Sequence, residues 1–154
     1  MLTFNELSIL LSAAVMLHVT EEFLFPGGFA EWYRSFVPPK KKQGAQTGYL
    51  VWINTLLMAM CTLFMYFGET ARGMSVWYYV AAACAANGCF HIWGVIKLKK
   101  YSPGVITGVL LYIPVFIIGS IQFVQDQSLP VSKIVIGIVA AIGYHVISVV
   151  RQRR

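Results

Sequence analysis

The stretch Val76-Trp-Tyr-Tyr-Val-Ala-Ala-Ala-Cys-Ala-Ala-Asn87-Gly-Cys-Phe-His91-Ile-Trp-Gly-Val-Ile96 runs for 21 residues without a charged side chain. At a helical rise of about 1.5 Å per residue it reaches across the roughly 30 Å hydrocarbon core of a bilayer. Four further apolar stretches flank it, at about 4–25, 49–67, 104–123 and 131–150. Strand-type alternation is missing, and in lipid each backbone polar group must be satisfied within its own segment, so these stretches are read as helices. The whole chain agrees: 58% hydrophobic and 12% charged residues is too apolar for a soluble domain of 154 residues. The expected fold is all-α, a single-domain polytopic membrane bundle of five transmembrane helices over residues 1–154. No Lys or Arg precedes the first stretch and no small-residue cleavage site follows it, so it is read as a retained span rather than a signal peptide.

Basic residues set the expected orientation. Arg34, Lys40, Lys41 and Lys42 fall between the first two stretches, Lys97, Lys99 and Lys100 between the third and fourth, and Arg151, Arg153 and Arg154 after the fifth. Only Arg72 and Lys133 fall on the other side. The positive-inside rule then places the amino terminus outside and the carboxy terminus in the cytoplasm, as expected of a protein of the prokaryotic cytoplasmic membrane. The net charge of +6 is read as membrane anchoring, with no nucleic-acid partner. The cluster Phe29, Trp32, Tyr33, Phe36 ahead of Pro38-Pro39-Lys40 is read as a segment lying at the inner headgroup level.

Against this apolar background the polar residues stand out. An ionisable group in hydrocarbon costs about 2.5 kcal/mol or more on insertion scales, so each one is a functional candidate. Counted inward from the cytoplasmic end, Glu21, Glu22 and Thr107 lie roughly 5 Å deep, His91, His145 and Asn54 about 8 Å, His18 about 10 Å and Asn87 about 14 Å. Five helices thus contribute to one layer. His18, Glu21 and Glu22 stand at i, i+3 and i+4, and Asn87 and His91 at i and i+4, so each set shares a helical face. The two glutamates sit at a helix carboxyl end, where the macrodipole disfavours negative charge, and something positive should compensate. Three imidazoles and two carboxylates are ligands that borderline divalent metals prefer. The spacing matches no soluble zinc signature, since in HExxH the acid lies between the histidines. Cys61, Cys84 and Cys89 lack paired spacing and are read as small core residues, and the glycines at 104, 108, 137 and 143 as points of close helix approach.

The runs His18-Val19-Thr20-Glu21-Glu22, Asn87-Gly88-Cys89-Phe90-His91 and Tyr101-Ser102-Pro103-Gly104-Val105-Ile106-Thr107 supply three motifs in order, HxxEE, NxxxH and YxPGxxT. In these the chain resembles the HXXEE family of small prokaryotic membrane proteins. The resemblance implies a membrane-enzyme-like site built from those motifs; His145 and Asn54 lie outside them and join the site through depth alone.

Three classes of function follow from the residues. In the first, His18, Glu21 or Glu22, His91 and His145 hold a divalent metal, zinc first and iron or manganese as alternatives. The remaining glutamate serves as general base in a hydrolase, while Asn87, Tyr101 or Thr107 polarises the substrate. The substrate would be amphiphilic: a lipid, an isoprenoid or a hydrophobic peptide. Metal-free variants use the acids and histidines directly, as a glutamate-type hydrolase or as an isomerase or cyclase with Trp52 or Trp93 stabilising a cation. The second class is a proton-coupled transporter, disfavoured because the outer halves carry no polar path and five spans divide into equal repeats only in a homodimer. The third is a haem protein with two axial histidines.

Overall fold

The computed structural model describes residues 1–38 and 47–153, and among them the regular structure is entirely helical. Lys40, Lys41, Lys42 and Arg154, part of the orientation argument, lie outside the described residues. Helix α1 spans Phe4–Phe23 and starts in a capping box, in which the Thr3 hydroxyl accepts from the Glu6 N–H and the Glu6 carboxylate accepts from the Thr3 N–H. Pro26-Gly27-Gly28 breaks the chain, both glycines adopting positive φ (73° and 86°), and α2, Phe29–Phe36, follows. Helices α3, Thr47–Phe67, and α4, Ala71–Leu98, meet at a short turn with Thr70 as the cap of α4. Helix α5 runs Val105–Gln125 and α6 runs Val131–Arg153.

Four of these helices, α3 to α6, are long and apolar enough to cross a membrane. The expected boundaries hold within a few residues for α3, α5 and α6. Helix α4 exceeds its expected span at both ends, its 28 residues reaching about 42 Å. Helix α1 has the length of a span, 20 residues, but three glutamates, Asn5 and His18 dilute its apolar content and set it apart from the other four.

Helix α4 is the axis of the bundle, in contact with all the other helices and the most buried of the four apolar ones. Its ring of small residues explains this. An added Cβ on Gly88 would stand 3.0 Å from the Gly108 carbonyl oxygen of α5, so the two backbones touch where neither has a side chain. Gly137 of α6 similarly admits the rings of Tyr78 and Tyr79. Gly143 does not fit the close-approach reading, since nothing lies within 4 Å of its missing Cβ, and Gly104 serves a turn at φ 100°. The Trp77 indole N–H donates to the Leu7 carbonyl at 3.0 Å and ties α4 to α1. Cys61 and Cys84 are core residues as expected, whereas Cys89 is exposed.

Helix α5 contains a five-residue π turn, Gly108–Tyr112. Pro114 follows after Ile113, and a proline inside a helix has no N–H for the carbonyl four residues back and pushes that turn open. The widened turn rotates Tyr112 inward, where it is fully buried. In helix α2, Phe29, Trp32, Tyr33 and Phe36 form one buried face, packed on Phe23, Phe90 and Leu98. Phe36 has no exposed surface at all, so Phe36→Ala should cost about 3–5 kcal/mol and loosen α2. Denaturant unfolding in detergent measures the loss, and limited proteolysis between residues 26 and 38 reports whether α2 has come free.

Candidate metal centre

His18 and Glu22 lie one turn apart on α1, and α4 brings His91 to the same point. The Glu22 Oε1 oxygen is 3.4 Å from His18 Nε2 and 3.2 Å from His91 Nε2. All three side chains are buried, and their three ligand atoms lie within 4.8 Å of one another. The imidazoles meet edge to face with centroids 5.2 Å apart. Neither Nε2 atom makes an aligned hydrogen bond, although both are buried. Unpaired buried nitrogens beside a carboxylate are rare in folded proteins and call for a physical reason.

The far side of each ring is tied down. His18 Nδ1 stands 2.8 Å from the Thr107 hydroxyl, and His91 Nδ1 stands 2.8 Å from the Ser102 hydroxyl. Partners of this kind orient metal-binding imidazoles and fix their tautomers. Gly104 lies between these two hydroxyl residues and against both rings: an added Cβ would be 2.8 Å from His18 Cε1 and 2.9 Å from His91 Nε2. The Tyr101–Thr107 run is therefore a cradle for the two histidines. Its positive-φ glycine lets the turn close over them, and its hydroxyls hold their outer nitrogens.

Glu21, adjacent to Glu22 in sequence, faces elsewhere. Its Oε1 accepts from the Tyr101 hydroxyl (2.5 Å) and the Ile106 N–H (3.0 Å), and its Oε2 from the Thr107 N–H (2.7 Å) and hydroxyl (2.5 Å). The carboxylate thus caps the start of α5, where backbone N–H groups are unpaired and negative charge is favoured. Compensation for the acid at the end of α1 comes from the amino end of a neighbouring helix. Burial and the Glu21 carboxylate push the Tyr101 hydroxyl well above its ordinary pKa, which keeps it a donor.

The remaining expected residues divide. Asn87, Asn54 and His145 line one cavity of about 330 Å³ together with His18 and Glu22. Asn87 Oδ1 is buried without a partner, whereas the Asn54 amide donates to the Leu50 carbonyl of its own helix at 2.9 Å. His145 stands outside the cluster, its Nδ1 3.0 Å from the Ala141 carbonyl and its ring against Phe90. Depth alone placed it with the other histidines, and depth does not specify azimuth. Trp52 and Trp93 are surface residues, 60% and 46% exposed.

Four neighbours carried no individual signal in the sequence. Trp32 stacks on His91 at 5.3 Å, Phe29 packs on the same ring at 5.6 Å, and Tyr112 lies 4.4 Å from His18. Ser102 sits inside the Tyr-Ser-Pro-Gly run, but at a position the YxPGxxT motif leaves open. Trp32 fits because Gly94 leaves room for its ring.

No curated protein and no solved structure matches the chain. Residues 9–119 match the HXXEE family, described as a protein of unknown function with HXXEE motif, and the chain belongs to that family. The matched region contains His18, Glu21, Glu22, Asn87, His91, Tyr101 and Thr107, while His145 falls beyond it.

Gly104→Ala should destabilise the protein by about 1–3 kcal/mol, from a positive-φ alanine and its overlap with both imidazoles. Gly143→Ala, which meets open space in a helix, should be neutral or slightly stabilising. Unfolding curves of the two variants against the parent in one detergent give the comparison, and equal curves would remove the cradle interpretation.

Proposed function

We propose that this chain is a membrane-embedded metal-dependent hydrolase in which His18, Glu22 and His91 hold one divalent cation, zinc in preference to iron or manganese. One observation carries the reading: two imidazole nitrogens and a carboxylate oxygen converge within 4.8 Å in a buried pocket, each imidazole braced from behind by a hydroxyl. Two histidines and one carboxylate form a known catalytic ligand set, in which three protein ligands leave a coordination position open. A cation bound there would supply Lewis acidity and lower the pKa of a bound water. The residues of the chain supply the rest. Glu22 and the histidines hold the charge, Trp32, Phe29 and Tyr112 wall the centre, and Asn87, whose side-chain carbonyl is buried without a partner, lines the cavity.

The cavity supports an amphiphilic substrate, a lipid, an isoprenoid or a hydrophobic peptide. Leu50, Ile53, Leu57, Met60 and Val80 form its apolar wall, and Tyr33, Tyr49, Tyr144 and Ser148 bring hydroxyls to it. The same reading takes α1 as a fifth span, since its 20 residues equal the membrane thickness and it packs along α3 and α5. Arg34, Lys97, Lys99 and Lys100 belong to segments at the end of the bundle that holds the centre, and Arg72 and Lys133 to the opposite end, which supports a cytoplasmic centre in a prokaryotic plasma membrane. A haem is disfavoured because the two imidazoles meet edge to face with Gly104 against both, leaving no slot for a porphyrin. A homodimer is not needed to complete the cluster, whose three ligands come from a single chain.

Metal analysis of protein purified in detergent tests the proposal, followed by zinc titration of the chelator-treated sample against a competing dye. One zinc per chain is expected, with affinity reduced at least about tenfold in Glu22→Gln and in His91→Ala and unchanged in His145→Ala. Failure of the parent protein to bind zinc, iron or manganese ends the metal reading and leaves metal-free acid–base chemistry by the same three residues. Hydrolysis of fluorogenic long-chain esters and apolar peptides in nanodiscs, lost in Glu22→Gln, tests the reaction class.

A further inference from the structure

The two adjacent glutamates are equivalent in sequence and opposite in surroundings. Glu22 meets two nitrogens that have no aligned donor of their own, while Glu21 accepts four hydrogen bonds and touches neither imidazole. Its lone pairs are committed, which leaves it poorly placed to bind a metal or to take a proton from water. It does reach His18 through one intermediary.

The Thr107 hydroxyl has a single proton. Each Glu21 oxygen already accepts a backbone N–H, from Ile106 and from Thr107, so the carboxylate is the acceptor and the hydroxyl proton lies on the 2.5 Å contact to Glu21 Oε2. The Thr107 oxygen then faces His18 Nδ1 at 2.8 Å with only lone pairs to offer, so Nδ1 must carry the ring proton. We infer that Glu21 is a positioning residue, which acts through Thr107 to fix His18 as the Nδ1–H tautomer with its Nε2 lone pair facing Glu22 Oε1.

His91 is not fixed in the same way. Its hydroxyl partner Ser102 makes no other side-chain hydrogen bond among the described residues, so that hydroxyl is free to donate or accept. One imidazole of the pair is therefore preset and the other adaptable. The preset one explains why the spot between His18 and Glu22 calls for positive charge. Two acceptors are held 3.4 Å apart on side chains that are almost wholly buried, a repulsive arrangement that a metal ion or a proton relieves. The inference concerns the site of the proposed metal centre but holds with or without a metal.

Two-bond nitrogen–proton correlation spectra of ¹⁵N-histidine-labelled, chelator-treated protein in nanodiscs report the tautomer directly. They are recorded at about pH 8, above the ordinary imidazole pKa of about 6.5. The His18 signals are assigned by their loss in His18→Gln. His18 is expected as Nδ1–H in the parent and in Thr107→Ser, and as Nε2–H or a mixture in Thr107→Val. Zinc affinity is expected to fall about 10–100-fold in Thr107→Val and to recover in Thr107→Ser. A parent His18 protonated on Nε2 overturns the inference without any variant, and so does an unchanged tautomer in a folded Thr107→Val protein. An Nδ1–H parent that binds no metal keeps the inference and removes only the metal centre.

Discussion

A carboxylate buried between two imidazoles is the constraint around which this protein is arranged. Glu22 is 4% exposed and its nearest polar neighbours are the Nε2 atoms of His18 and His91. An ionised carboxylate in an apolar interior is costly unless paired and hydrogen-bonded, so the surrounding architecture must deliver both partners and hold them. Helix α1 delivers His18 by spacing, α4 delivers His91 by crossing, and the Tyr101–Thr107 turn holds both from behind. That turn in turn depends on Glu21, whose carboxylate caps α5 and fixes where the turn lies. Adjacent acids thus serve different layers of one structure, the inner one facing the cluster and the outer one supporting it.

The packing follows from this demand for proximity. Where α4 and α5 must touch, Gly88 and Gly108 face each other; where the turn must close over two rings, the residue is Gly104; where Trp32 must cover His91, α4 has Gly94. Three aromatic side chains, Trp32, Phe29 and Tyr112, then screen the imidazoles on the remaining sides. Tyr112 owes its inward aim to the π turn, and the π turn to Pro114. Local backbone choices that look unrelated along the chain all shape the same small volume.

Helix content and the four most apolar helices were legible in the sequence because hydropathy over twenty residues is a strong signal that needs no tertiary knowledge. The convergence of the HxxEE, NxxxH and YxPGxxT runs was legible too, since polar groups in apolar segments must find one another. What was not legible is azimuth. His145 lies at the right depth but on the wall of the cavity, and Glu21 lies one residue from Glu22 but a hundred degrees around the helix. Helix α2 was read as an interfacial segment because its amphipathic pattern is the same whether the apolar face meets lipid or protein, and only the fold shows that it meets α4. Trp52 and Trp93 are both well exposed, and the sequence does not tell which way either ring faces.

Helix α6 packs chiefly on α4 and gives no side chain to the cluster, yet Tyr144, His145 and Ser148 line the cavity beside it. The histidine–glutamate cluster is therefore complete within residues 9–119, while the lining of the cavity is finished by the last helix. Exchanging the terminal helix would reshape that cavity and leave the histidine–glutamate core as it was, so the two features can vary independently along the chain.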